Sequence, residues 1–196
     1  MKSNPIITTD ATGARPRRAV FLDRDGVLNR VRVRDGKPYP PLNVAELEIF
    51  PDAPAALAAL KRHGFLLVVV TNQPDVARGT QTREAVEEIH AALRAALPVD
   101  EILACWHDDA DGCGCRKPKP GLLLEAARRH GIDLGRSFLV GDRWRDVEAA
   151  HNAGCAAVWI DYGYREAPPA SPPAARVTSL AEAARWIVAA ADGEAV

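Results

Sequence analysis

Two aspartates one residue apart, Asp23 and Asp25, directly follow the apolar run Ala19 to Leu22 and directly precede Gly26. A short apolar run bounded by charge and ending at a glycine reads as a strand buried on both faces of a parallel sheet. Both acids then fall at its carboxyl end, the edge of an open α/β sheet where ligands bind. Alternation along an extended backbone sends residues i and i+2 to one side, and Gly26 lets the chain turn close beside them. Carboxylates this close repel, and a divalent cation that prefers hard oxygen ligands, Mg²⁺, removes the conflict. One carboxylate is then available as a nucleophile and the other as a proton shuttle. Taken alone, Asp-x-Asp is equally an acidic loop, so the rest of the chain has to decide.

Apolar runs predict further strands at 65–70, 101–105, 137–140 and 156–160. Helices are expected between them: 53–62 with Pro54 and Gly64 as punctuation, one capped by Thr82 with Val86, Ile89, Leu93 and Leu97 on one face, 120–130 stopped by Gly131, and 144–153 stopped by Gly154. Strands alternating with helices imply right-handed crossovers, hence an α/β fold with a parallel sheet covered on both sides. Residues 29–43, with Gly36, Pro38, Pro40 and Pro41, read as a long loop near the site. The tail 1–18 is expected to be disordered, and 19–196 to form one domain. Within it the Pro/Ala-rich stretch 166–175 reads as a linker to a last helix capped by Ser179, with Leu180, Trp186 and Ile187 facing inward.

At 196 residues, 26% charged, 47% hydrophobic and net charge −1, the chain offers no electrostatic footprint for nucleic acid or an anionic membrane. It shows no signal-peptide core and no run long enough to span a bilayer. A monomeric cytoplasmic protein that handles a small anionic molecule fits this balance, with local basic clusters at Arg30, Arg32, Arg34 and at Arg116, Lys117, Lys119. Of its four cysteines, Cys105, Cys113 and Cys115 join His107 in a C-x-H-x₅-C-x-C pattern. Three thiolates and one imidazole complete a tetrahedral Zn²⁺ shell, which is the closed form of a structural site. A redox or free-thiol role is the alternative, and Cys155 reads as a small buried hydrophobe.

Polar residues recur at four strand ends: Asp23 with Asp25, Thr71 with Asn72, Lys117, and Asp142 with Asp146. The set resembles the signature motifs of haloacid-dehalogenase-like (HAD) phosphatases. The resemblance implies a three-layer α/β/α Rossmannoid core with a minimal cap and a zinc-bound loop. It implies Asp23 as the nucleophile forming an aspartyl-phosphate and Asp25 as general acid and base. Thr71 and Lys117 would hold the phosphoryl oxygens, and Asp23, the Asp25 carbonyl and Asp142 would hold Mg²⁺. Asp146 would orient Lys117 or the metal shell.

The zinc pattern followed by Arg116-Lys117-Pro118-Lys119-Pro120-Gly121 is similar to the D,D-heptose 1,7-bisphosphate phosphatases and their histidinol-phosphate phosphatase siblings. That likeness implies a lipopolysaccharide-precursor sugar phosphate as substrate, with the 7-phosphate removed from the bisphosphate. Arg116, Arg32, Arg34, Asn72, Gln73 and Arg143 would contact it. Histidinol phosphate or another small ester, and a non-catalytic zinc or phosphate-binding module, are the other readings. Pro74-Asp75 and Trp106 depart from the heptose pattern and bear on the substrate more than on the chemistry.

Overall fold

A computed structural model describes residues 16–193. In chain order it contains β1 (Ala19–Leu22), β2 (Arg32–Arg34), β3 (Lys37–Tyr39), α1 (Ala53–Arg62), β4 (Leu66–Asn72), α2 (Pro74–Ala77) and α3 (Arg83–Ala96). Then come β5 (Glu101–Cys105), α4 (Gly121–His130), β6 (Phe138–Gly141), α5 (Trp144–Ala153), β7 (Ala156–Ile160), β8 (Ala175–Val177) and α6 (Leu180–Asp192).

All four residues of β1 are buried, because the strand lies inside a sheet covered on both faces. Val20 and Leu22 pack with Leu57 and Leu60 of α1, Ile89 and Leu93 of α3, and Leu180 and Ile187 of α6. Ala19 and Phe21 face the other way, against Leu122, Leu123 and Ala126 of α4 and Val147 and Ala150 of α5. Period-two alternation thus divides β1 between two cores and produces the expected three layers. The large sheet runs β5-β4-β1-β6-β7-β8, with every neighbouring pair parallel. From β1 the chain builds outward through β4 to β5, then returns to lay β6 on the opposite side. The carboxyl ends of β1, β4 and β6 therefore meet at the topological switch point, where the sheet opens a crevice.

Helix punctuation follows the sequence closely. The side chains of Thr82 and Ser179 accept from Ala85 N and Glu182 N, caps worth about 1 kcal/mol each. Gly131 and Gly154 close α4 and α5 in the left-handed conformation. Leu97 leaves the helix in an extended conformation, since Pro98 disfavours helical geometry in the residue before it.

Three expectations change. The predicted loop 29–43 holds the hairpin β2–β3, paired Val33 to Pro38 around Asp35-Gly36, whose φ values are 51° and 76°. Positive φ at both positions makes a type I′ turn, for which Asp-Gly is the sequence signal. The nearby prolines masked it. The Pro/Ala stretch 166–175 is not a free linker: Ser171 donates through N and Oγ to Glu148, and β8 adds the sixth strand beside β7. Of the tail, residues 1–15 lie outside the described residues. Arg17 is already tied in, donating to Gly131 O at 2.9 Å and accepting from Asp133 N at 2.9 Å. Among the described residues no helix is long and apolar enough to cross a membrane.

Candidate active site

At the crevice Lys117 is almost fully buried, its ammonium 2.9 Å from Asp23 Oδ1 and 2.6 Å from Asp146 Oδ1. It also donates to Val70 O at 2.8 Å, so one hydrogen bond and two ion pairs crowd its three hydrogens. Burial alone would lower its pKa, but Asp146 and Asp23 outweigh that and hold it above its ordinary value. Its backbone is fixed from β4: Asn72 Nδ2 donates to Lys117 O and Lys117 N donates to Asn72 Oδ1, both at 3.0 Å. The last residue of β4 thereby sets where a lysine 45 positions later stands.

Asp23, Asp142 and Asp146 carry carboxylate oxygens within 4.8 Å of one another. Burial pushes Asp23 up to about 6, opposed by Lys117 and reinforced by Asp146 and Asp25. Asp142 is driven well above the carboxylate range by burial first, then by Asp23 and Asp146. Neither of its buried oxygens has a hydrogen-bond partner among the described residues. The Tyr164 hydroxyl and Arg143 oppose its shift without reaching hydrogen-bond geometry. Two glycines keep this cluster open. A Cβ on Gly26 would lie 1.9 Å from Asp142 Oδ2, and one on Gly141 would lie 2.1 Å from the Asp146 Cβ. Three crowded carboxylates against one ammonium, with three oxygens lacking a hydrogen-bond partner (both of Asp142 and Asp146 Oδ1), are a donor set that fits a hard divalent cation.

Asp25 is engaged differently from its partner. Arg24, fully buried between them, donates through Nε to Asp25 Oδ1 and Oδ2 at 3.1 Å. Asn29 Nδ2 and Gln73 Nε2 each donate to it at 3.0 Å. Gln73 also donates to Thr71 Oγ1 at 2.8 Å and accepts from Arg24 Nη2 at 3.1 Å. On the far side Arg24 Nη1 meets His90 Nε2 at 3.2 Å. Burial, then Arg24 and Arg94, lower the His90 pKa to about 3. The neutral imidazole is thus the native form, while an unfolded histidine titrates near 6.5. The stabilisation is complete above about pH 6.5 and is lost as pH falls toward 3, since only the unfolded chain takes the proton in that window. A His90→Gln variant should show a flatter loss of stability between pH 7 and pH 4.5, by on the order of a few kcal/mol. Parallel urea titrations check this, and identical pH slopes would show that His90 does not contribute.

The cleft above this cluster has a volume of about 270 Å³ and is lined by Thr71, Asn72, Arg116 and Arg143 as well as the acids. Arg116 donates through Nε to Asp109 Oδ1 at 2.9 Å, and Arg143 is ion-paired with Glu166. Gln73 lies beneath the cleft, spent on protein partners. Arg32 and Arg34 are absent from its lining: Arg32 pairs with Glu46 at 3.3 Å and Arg34 stacks on Tyr39. Residues 32 and 34 share one face of the hairpin, while Val31 borders the cleft.

Four polar lining residues were not singled out from the sequence: Tyr39, Arg78, Asp109 and Arg145. Arg78 and Arg145 close on the acids of the zinc-pattern loop, 2.6 Å from Asp108 Oδ1 and 3.1 Å from Asp109 Oδ1. Arg145 did carry a signal, because a cation in the first turn of a helix opposes the macrodipole. The acid that departs from the heptose pattern, Asp75, also lines the cleft, its carboxylate 3.4 Å from Arg78.

Beside the cleft, Cys105, His107, Cys113 and Cys115 gather their ligand atoms. Sγ separations are 3.0 Å, 3.4 Å and 3.6 Å, and His107 Nδ1 lies 3.4 Å and 3.7 Å from two of the sulfurs. A tetrahedron with Zn–S bonds of about 2.3 Å has edges near 3.8 Å, so the four donors fit one zinc ion. Cys155, buried elsewhere, takes no part in this group. Lys119 clips the loop by donating to Gly112 O and Cys113 O at 2.7 Å.

Residues 114–183 match the HAD-hydrolase-like family model. The chain is 37% identical over 152 residues to a D-glycero-beta-D-manno-heptose-1,7-bisphosphate 7-phosphatase of Pseudomonas aeruginosa, spanning 75% of this chain and 83% of that one. It is 41% identical over 144 residues to a D-glycero-alpha-D-manno-heptose-1,7-bisphosphate 7-phosphatase of Mycobacterium bovis, 70% of this chain and 74% of the relative. Among solved structures, D,D-heptose 1,7-bisphosphate phosphatase from B. bronchiseptica, complexed with magnesium and phosphate, superposes with a TM-score of 0.69 at 31% identity, over 87% of this chain and 98% of that chain.

Proposed function

The chain belongs to the HAD-like hydrolases, in the family of the heptose-1,7-bisphosphate 7-phosphatases, and on that footing we propose that it removes the 7-phosphate of D-glycero-D-manno-heptose 1,7-bisphosphate. The observation that carries the reading is Lys117, 2.9 Å from Asp23, beside the unpartnered oxygens of Asp142 at one sheet edge.

In the proposed reaction a carboxylate oxygen of Asp23 attacks phosphorus as the bond to the sugar oxygen breaks. Asp25 gives that oxygen its proton, then takes one from the water that attacks the aspartyl-phosphate and releases phosphate. Lys117 and the Thr71 hydroxyl hold the phosphoryl oxygens, and Asp146 holds Lys117. Asp23, Asp142 and the Asp25 carbonyl would hold Mg²⁺, which supplies charge neutralisation to the phosphoryl group when bound. Arg116, with Arg78 and Arg145, offers fork-shaped donors to the second phosphate. Zn²⁺ in the four-ligand cluster would fix the loop from which Arg116 and Lys117 emerge. Residues 19–196 act as one hydrolase domain, a monomer whose cluster of unpaired thiols suits the reducing cytoplasm.

A phosphate-release screen with Mg²⁺ tests the substrate, using heptose 1,7-bisphosphate, heptose 7-phosphate, fructose bisphosphate and histidinol phosphate. The bisphosphate should give the highest kcat/KM, by about tenfold or more over histidinol phosphate, with heptose 1-phosphate as product. That margin corresponds to about 1.4 kcal/mol in transition-state binding. A preference for histidinol phosphate would overturn the assignment while leaving the chemistry standing.

A further inference from the structure

Arg24 is a buried cation that the reaction just described leaves without a task. Burying a guanidinium is costly unless it is paired and its hydrogens are all placed. Here each face of the fork is used: Nε and Nη2 engage Asp25, at 3.1 Å and 2.8 Å, while Nη2 and Nη1 reach Gln73 Oε1 and His90 Nε2. Since arginine has only donors, His90 must accept through Nε2. That fixes its hydrogen on Nδ1, which lies 3.5 Å from Glu87 Oε2. The chain of contacts runs from α3 through the guanidinium to one carboxylate.

That carboxylate is surrounded by donors from three residues, Arg24, Asn29 and Gln73, and its side chain keeps 15% exposure on the cleft it lines. The protein side of Asp25 is filled with hydrogens, so a mobile proton can be carried only on the cleft side. Asp23 is held differently, accepting from the Arg24 backbone N–H at 2.7 Å and ion-paired with Lys117 rather than with the Arg24 guanidinium.

We propose that Arg24, backed by His90 and Gln73, is a positioning residue for proton transfer by Asp25, aiming the carboxylate at the leaving oxygen and then at water. The inference rests on Asp25 being the acid and base of the proposed reaction. It makes the Arg24 network matter most where the leaving group needs a proton.

Two substrates separate this role from a purely structural one. A sugar phosphate leaves as an alkoxide and needs the proton, whereas p-nitrophenyl phosphate leaves as a stable phenolate. Arg24→Lys keeps the charge and loses the fork. It should lower kcat/KM about 100-fold on the sugar phosphate, in the range that general acid catalysis supplies, and less than about threefold on the aryl ester. With the aryl ester it should also show a burst of nearly one p-nitrophenol per active site, because the second step still needs Asp25 as base.

Should Arg24→Lys fail to fold, His90 carries the test. His90→Leu removes the acceptor at similar volume and should cost the sugar phosphate about tenfold, and His90→Gln, which restores an acceptor, should recover most of it. Equal losses on both substrates, or wild-type behaviour of His90→Leu on the sugar phosphate, would overturn the inference. A wild-type protein that hydrolyses neither substrate with Mg²⁺ would instead remove the acid–base reading on which it stands.

Discussion

Asp23→Asn should lower phosphate release by about 10⁴-fold or more, the scale seen when a nucleophile is removed, while the protein stays folded and keeps its zinc. The amide is nearly isosteric but cannot attack phosphorus. Stability should change by only about 1–2 kcal/mol, because two effects oppose each other. Lys117 loses one anionic partner but retains Asp146 at 2.6 Å and Val70 O at 2.8 Å. Meanwhile, one of three mutually repelling acids is removed, and Asp142 is relieved of the neighbour that, after burial, pushes it up most. The Cys/His cluster lies apart from these acids, at the end of β5 and on the loop after it. A single preparation assayed for phosphate release, melting temperature and zinc content decides the matter: residual turnover above about 1% of wild type, far more than loss of a nucleophile leaves, would take Asp23 out of the mechanism.

If the four-ligand cluster holds zinc as proposed, its loss should damage both stability and catalysis. Structural zinc in small sites contributes roughly 10 kcal/mol of apparent binding energy. The loop around Cys113 and Cys115 has little apolar burial to order it, with Asp109, Ala110, Asp111, Gly112 and Gly114 all exposed. Even ~4 kcal/mol of that binding, at about 2–4 °C per kcal/mol for a domain of this size, lowers the melting temperature by roughly 10 °C. Cys115→Ser should show this together with about a tenfold or greater fall in kcat/KM, since Arg116 and Lys117 follow the ligand directly and small misplacements of a positioning group are expensive. Calorimetry with elemental analysis before and after chelation provides the measurement. Equal melting temperatures and rates with and without zinc would leave the cluster no structural role.

The strands that carry the chemistry were readable because a parallel strand buried on both faces is written as an unbroken apolar run. Ala19 to Leu22 and the apolar run leading to Thr71 needed nothing from the rest of the chain to be found. Asp142 followed from the same pattern at Val140-Gly141. The hairpin was missed for a local reason, since prolines at 38, 40 and 41 outweighed the Asp35-Gly36 turn between them. The differences around the cleft are of another kind. Arg32 and Arg34 looked suited to phosphate by charge, but hairpin alternation turns them toward Glu46 and Tyr39. Arg78 and Arg145 come to the pocket only because the zinc-pattern loop brings Asp108 and Asp109 between them, a meeting of three distant segments that no spacing records. Asn72 and Gln73 both spend their amides on other protein groups, and Asn72 also lines the cleft.

Three acceptors already crowd the Lys117 ammonium. An arriving phosphoryl oxygen must compete there with Val70 O, which holds a hydrogen bond, and with the ion-paired carboxylates of Asp23 and Asp146. Trading one acceptor for another gains little while the ester is intact. The trade becomes favourable as the reacting oxygens gather charge, so the lysine discriminates by stage of reaction rather than by tightness of grip.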